Sequence, residues 1–258
     1  MSIINSIFST TKGYNNFKIF SPTHILIIVF VAILFLIVIK MKNKNKTFIT
    51  LLTTLTIIDQ VCFYGWYFIN RPVEFLQYGL FLYHCTLSII ILVIGTLIKN
   101  HKLIKWGSYW GFFGGIVSVI YNGTQFYYPF PHITQISHFA MHTYLLLFST
   151  YYLFIEKVGM SKKDYKKICL VTAIYNIFLF IFNLIFKTNY GFVSGLPFDI
   201  GIYPPVIICY LLSTLTFIIV FTLEYVILNY SGIRKNIRII NKSKINHINQ
   251  AKEETADN

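Results

Sequence analysis

A cysteine, an aspartate and a histidine stand inside separate apolar runs of this 258-residue chain: Cys85, Asp59 and His142. A thiol, a carboxylate and an imidazole are the parts of a nucleophile, the group that orients its base, and the base itself. Such a set can attack an ester or thioester carbonyl and form an acyl-enzyme. Each residue also has a plainer reading. A lone cysteine in an apolar run is ordinarily a small packing residue, which suits Cys62, Cys169 and Cys209. Asp59 can be a buried hydrogen-bond partner. His138 and His142 lie four apart on one helical face, a spacing that also fits a metal pair. No HExxH motif or further histidine box accompanies them, and no CxxC spacing suggests a zinc knuckle or a disulfide framework. No metal and no cofactor is therefore expected.

The elements that must position these groups follow from composition. The chain is 55% hydrophobic and 12% charged, with a mean hydropathy of +0.62. Soluble proteins carry about 25% charged residues. Its 25 Phe, 19 Tyr and 3 Trp exclude a disordered chain. A membrane protein remains. Crossing the hydrocarbon core takes about 20 mostly apolar residues, and the sequence offers seven such runs: Thr23–Ile39, Thr47–Ile69, Gln77–Ile98, Leu103–Tyr121, Ile133–Ile155, Lys167–Phe186 and Tyr203–Tyr230. The predicted fold class is all-α, a polytopic bundle of seven transmembrane helices. Residues 1–22 form an extracytoplasmic segment, 23–230 the transmembrane domain, and 231–258 a basic cytoplasmic tail. The first run has no small-residue cleavage pattern after it, so it is expected to stay as a span.

The net charge of +13 would suggest nucleic acid in a soluble protein. Its distribution says otherwise. Of the 22 Lys and Arg, 18 fall at or beside the connections after runs one, three and five or in the tail. By the positive-inside rule the N-terminus is outside and the C-terminus cytoplasmic, and an odd number of spans agrees with that split. The charge is a topology signal, and no nucleic-acid partner is expected.

Counting inward from the outer ends at ~1.5 Å per residue puts Cys85, His142 and Asp59 roughly 12–15 Å deep, all at one level. Polar groups in spans are costly and mark functional candidates. The others are His84, His138, Asn176, Asn183 and Glu224, with Asn176 and Asn183 also suited to interhelical hydrogen bonds. Gly107, Gly111 and Gly115 recur every four residues, the small-xxx-small pattern of closely packed helices. Asn189-Tyr190-Gly191-Phe192 and Tyr127-Tyr128-Pro129-Phe130-Pro131-His132 form aromatic outer loops, either interfacial anchors or a lid.

Several short motifs, in order along nearly the whole chain, resemble the YwaF-like family of bacterial integral membrane proteins, related to the animal transmembrane protein 164. Phe20-Ser21-Pro22-Thr23-His24 is similar to its Phe-x-x-x-His. Leu80-Phe81-Leu82-Tyr83-His84-Cys85 resembles Leu-Pro-Leu-x-x-Cys, with Phe81 at the proline position. Tyr109-Trp110-Gly111 with Gly114-Gly115, Phe130-Pro131-His132 followed by His142, and Asn189-Tyr190-x-Phe192 with Pro197 complete the set. The resemblance implies acyl-transfer chemistry on lipids, with Cys85 matching the nucleophile and His142 the base.

The expectation is thus a cell-membrane enzyme, a lipid acyltransferase or hydrolase. Cys85 is its nucleophile and His142 its base, with Asp59 or His24 orienting the imidazole. His84, His138, Asn176, Asn189 and Tyr190 are the substrate-contacting candidates, and membrane lipids are the partners. A small-molecule transporter using the same polar residues is the rival reading, although no internal repeat supports it. A structural or regulatory membrane protein is the third.

Overall fold

The computed structural model describes residues 3–13, 17–75, 79–121, 128, 130–197, 201 and 203–230. The basic tail 231–258, the Gln77 start of the third run, and Tyr127 and Pro129 of the first outer loop lie outside the described residues. The described chain is helical, with no strand among the described residues. After a short Ile3–Ile7 (α1) come Pro22–Ile39 (α2), Lys46–Asn70 (α3), the single turn Pro72–Glu74 (α4), His84–Leu97 (α5), His101–Ile120 (α6), Ile133–Thr150 (α7), Lys162–Phe186 (α8) and Val206–Tyr230 (α9). A π-helical turn, Tyr151–Ile155, prolongs α7.

Starts are written into the sequence. Ser21, Asn45, Asn100, His132 and Ser161 cap α2, α3, α6, α7 and α8 through their side chains, and Ser161 forms a capping box with Asp164. Each cap satisfies backbone N–H groups that the first helical turn leaves open. The α5 helix is different: no side chain caps it.

Four helices, α2, α3, α8 and α9, are long and apolar enough to cross a membrane, with mean hydropathies of 2.9, 1.4, 2.3 and 2.5. Between 11% and 28% of their apolar windows is buried, so they present most of their surface outward. The inner helices are the less apolar ones. α7 buries most of its length, including Gln135, Ser137, His142, Thr143, Ser149 and Thr150. A helix sheathed by other helices meets protein instead of lipid, and its polar side chains find partners there. Thr143 and Thr150 return their hydroxyls to carbonyls one turn back.

The third predicted run is only partly helical. α5 has 14 residues, which at ~1.5 Å each reach about 21 Å, short of the ~30 Å hydrocarbon core. Its apolar approach Leu80–Tyr83 is held in a turn instead. Tyr190 Oη accepts the Leu80 N–H at 3.0 Å, Tyr175 Oη donates to the Leu82 carbonyl at 2.8 Å, and Tyr83 is extended at φ −69° and ψ 140°.

The expected glycine packing is present on α6. A methyl group on Gly107 would stand 2.6 Å from Leu92 Cγ, on Gly111 2.5 Å from Leu145 Cδ1 and 2.9 Å from Ser88 Oγ, and on Gly115 2.9 Å from the Leu146 nitrogen. Ser88 Oγ donates to the Gly107 carbonyl at 2.6 Å. α6 is thereby wedged between α5 and α7.

At the end away from the lysine-rich connections, the chain from Phe8 to Lys12 is clasped onto α3 and α7. Three successive carbonyls are claimed: Phe8 by Trp66 Nε1, Ser9 by His132 Nε2 and Thr10 by Arg71 Nη2. Arg71 Nε also donates to Tyr128 Oη at 2.9 Å, Tyr128 stacks on His132 at 4.2 Å, and Lys12 pairs with Glu74 at 2.8 Å. Burial pushes the His132 imidazole below its ordinary value, against the opposing pull of the Ser9 carbonyl. At the lysine-rich end, Lys44 pairs with Glu156, and Lys105 with Asp164 at 2.5 Å.

Candidate functional site

Cys85 is the second residue of α5 and half-buried, so it sits in a helical first turn and not at mid-span. The chain before it is pinned by Tyr190 and Tyr175. The turn it occupies has no side-chain cap from Tyr83. Its side chain packs at the edge of the apolar cluster of Ile89, Met141 and Leu145.

His142 is 3% exposed. Its Nδ1 donates to the His138 carbonyl at 2.7 Å, one turn back on α7. Nε2 makes no hydrogen bond among the described residues, so the free lone pair belongs to that nitrogen. The ring lies 4.4 Å from the ring of His138, whose own Nε2 reaches the Ser118 carbonyl of α6 at 3.4 Å.

Helix register relates the two. Along α5 and α6, which run antiparallel, Gly95 meets Ile104, Leu92 meets Gly107, and Ser88 meets Gly111. One more turn brings Gly114 opposite Cys85. On the α7 side, Gly115 faces the His142 carbonyl and Ser118 faces His138. By this register Cys85 stands at the level of the α6 turn Gly114-Gly115, whose Gly115 packs on the His142 carbonyl.

The other expected groups are placed elsewhere or otherwise engaged. The Asp59 carboxylate accepts from Ser137 Oγ at 2.9 Å and from Gln60 Nε2 at 2.8 Å, so it braces α3 against α7 one turn away from His142. His24 has both ring nitrogens occupied: Nδ1 accepts the Phe20 N–H and Nε2 donates to the Val119 carbonyl, each at 2.9 Å. It fastens the start of α2 to the end of α6. Orientation of His142, expected from Asp59 or His24, comes from the backbone of its own helix.

Among the substrate-contacting candidates, His84 is buried between Trp110, Tyr175 and Phe217, at 6.0, 5.2 and 4.1 Å between ring centres. Its Nε2 is sealed and has no hydrogen bond, as is the Oδ1 of Asn176, whose Nδ2 donates to Thr214 at 3.0 Å. Asn189 closes its own loop through the Gly195 carbonyl and the Ser194 N–H. Tyr190 is fully buried, and Asn183 brackets it through its N–H and carbonyl. Tyr190 in turn holds the approach to α5 through the Leu80 N–H. Gly191, at φ +68°, would put a side chain 3.1 Å from His84 Cε1, which favours glycine there.

Sequence reasoning missed Tyr175 and the uncapped start of α5. Tyr175 looks like an ordinary span residue, and Phe81-Leu82-Tyr83 reads as uninterrupted apolar helix. No group of three His, Cys, Asp or Glu able to hold a metal occurs among the described residues.

The model of the TMEM164 family matches residues 19–225. No curated protein and no solved structure gives a significant match.

Proposed function

We propose, from the premise that this chain belongs to the TMEM164 family, that this integral membrane protein is a thiol-dependent lipid acyltransferase or hydrolase. One observation carries the reading: Cys85 stands in a helical first turn with no side-chain cap, which the α5–α6 register puts at the level of the α6 turn packed on the His142 carbonyl. A nucleophile in a helical first turn lies beside backbone N–H groups that could stabilise the oxyanion of a tetrahedral intermediate.

In the reaction, Nε2 of His142 takes the Cys85 proton as sulfur bonds to the ester carbonyl carbon. Collapse of the intermediate breaks the carbon–oxygen bond, and the leaving alkoxide receives that proton from His142. The thioester left on Cys85 is then attacked by a lipid hydroxyl or by water, whose proton passes through His142 to the departing thiolate. The Nδ1 bond to the His138 carbonyl holds the ring with Nε2 unprotonated at the start. Seven crossings, with the N-terminus outside and the C-terminus cytoplasmic, complete the proposal. Each of the seven apolar runs contains a helix, the third over His84–Leu97 alone, and Lys44–Glu156 and Lys105–Asp164 pairs join the lysine-rich connections.

The test is covalent capture. Purified protein is incubated in nanodiscs with a phospholipid carrying a radiolabelled acyl chain. Label should appear on the protein, be released by neutral hydroxylamine, and vanish in Cys85→Ala while persisting in Cys62→Ala. Hydroxylamine-resistant label, or equal labelling of Cys85→Ala, would sink the proposal.

A further inference from the structure

We infer that Tyr64 and Thr86 form a hydroxyl relay that steadies the Cys85 thiolate: the Tyr64 hydroxyl donates to Thr86 Oγ1, and the Thr86 hydroxyl donates to the sulfur. It rests on the thiol reading above. The relay moves no proton of its own, since both hydroxyls keep theirs and the thiol proton still leaves for His142.

The need for donors is chemical. Cys85 packs at the edge of Ile89, Met141 and Leu145, and an anion beside apolar groups is costly unless hydrogen bonds meet it. No lysine or arginine stands among the described residues that act on this sulfur. Thr86 does reach it, through its backbone N–H and its hydroxyl. That hydroxyl is available because of where the helix begins. Thr53, Thr56, Thr96, Thr143 and Thr150, deeper in their helices, return their hydroxyls to the carbonyl one turn back. For Thr86 that carbonyl belongs to Leu82, which precedes the helix and accepts the Tyr175 hydroxyl instead. Thr86 is also only 6% exposed, so bulk water is no substitute partner.

Two tyrosines border the sulfur, Tyr64 from α3 and Tyr175 from α8. Their uses differ. Tyr175 gives its proton to the Leu82 carbonyl, whereas the Tyr64 hydroxyl faces that of Thr86. The Tyr64 ring lies 4.5 Å from the ring of Phe81, so the side chain runs alongside the turn that carries Cys85 and is held there. A hydroxyl that accepts one hydrogen bond donates a stronger one. Tyr64 therefore works through Thr86 as a positioning residue, and Thr86 touches the reacting atom. Asp59 on α3, which faces Tyr64 and is bonded to Ser137, and His142 on α7 are the other titratable groups at this level.

Alkylation of Cys85 by N-methylmaleimide in nanodiscs, followed from pH 6 to pH 10 by peptide mass spectrometry, tests the relay without requiring turnover, with exposed Cys62 as internal reference. Thr86→Val keeps the shape and loses the hydroxyl. At pH 7.5 it should slow alkylation of Cys85 by about tenfold, as expected for one hydrogen bond to a charged group. Its rate–pH curve should move to higher pH and reach the original plateau, with Cys62 unchanged. Thr86→Ser should restore the original curve. Tyr64→Phe should move the curve the same way by a smaller amount, and add nothing in the Thr86→Val background, because a relay couples its members. A Thr86→Val curve that superposes on the original overturns the relay, as does one lowered equally at every pH, which marks altered access. Full addition of Tyr64→Phe to Thr86→Val also overturns it. The relay and acyl transfer fail separately: a displaced curve with no hydroxylamine-sensitive thioester keeps the relay and removes the transfer, and the reverse pattern does the opposite.

Discussion

The Nδ1 of His142 donates to the carbonyl oxygen of His138 at 2.7 Å, within one turn of a single helix. This bond fixes which nitrogen carries the proton and leaves Nε2 as the acceptor, the work a carboxylate does in many catalytic triads. A backbone carbonyl cannot be lost by side-chain substitution, and it adds no second charge inside the bundle. Asp59 is free for another task, and it braces Ser137 across the α3–α7 interface.

Because the orienting group is a carbonyl, Asp59→Asn should keep acyl transfer within about threefold of the original, since an amide oxygen still accepts from Ser137. His142→Gln removes the base and should lower the rate by about 100-fold or more. Rates of radiolabelled acyl transfer in nanodiscs distinguish the two. A collapse in Asp59→Asn equal to that in His142→Gln would show that the carboxylate, not the carbonyl, governs the imidazole.

The glycines of α6 divide into filled and open positions, and stability should divide with them. Gly111→Ala drives a methyl group against Leu145 and Ser149 and should cost about 1–3 kcal/mol. Gly114→Ala meets nothing and should be neutral or slightly stabilising, as alanine favours helix over glycine by about 1 kcal/mol. Thermal unfolding in detergent, followed by intrinsic Trp fluorescence, reads the difference. Equal melting temperatures for the two variants would contradict the packing described.

Much of this arrangement is legible in the residues. Each of the seven apolar runs contains a helix, though the third only over His84–Leu97, the small-xxx-small pattern marks the tight α6 interfaces, and Asn176 makes the expected interhelical bond to Thr214, whereas Asn183 binds the loop after its own helix. What the residues conceal has physical causes. Hydropathy registers exposure to lipid, so α6 and α7, enclosed by protein, look less like spans than α2 or α9. Leu80–Tyr83 is apolar enough to pass for helix, and two tyrosine hydroxyls about 90 and 110 positions further along the chain hold it in a turn. Equal depth suggested that Asp59 and His142 meet; helix rotation, which composition does not encode, points the carboxylate at Ser137.

The clasp at the far end gives a pH dependence. Burial lowers the His132 imidazole below its ordinary value, so between the folded and unfolded values the unfolded chain binds more protons. Its contribution is therefore complete above pH ~6.5 and declines as the pH falls below that. Protonation would also end acceptance of the Thr134 N–H and put a cation at the α7 N-terminus beside Arg71. Hydrogen exchange of residues 133–136 should accelerate from pH 7.5 to pH 5 beyond the intrinsic change. His132→Asn, which keeps a capping side chain without titrating, should remove the excess.

Orientation has its own consequence for chemistry, because it decides which leaflet supplies the lipid. Lys40, Lys42, Lys44 and Lys46 surround the first connection, and Lys187 ends α8 at the opposite end of the bundle, in the left-handed conformation at φ 52°. If the positive-inside rule governs insertion, the Cys85 turn opens toward the outer leaflet. Asn43→Cys and Lys187→Cys, each in a Cys62→Ala background, place single exposed thiols at the two ends. A membrane-impermeant maleimide applied to intact cells should label Lys187→Cys and leave Asn43→Cys unlabelled until the membrane is permeabilised. Labelling of Asn43→Cys in intact cells reverses the topology and assigns the thiol to the inner leaflet, where acyl donors and acceptors differ.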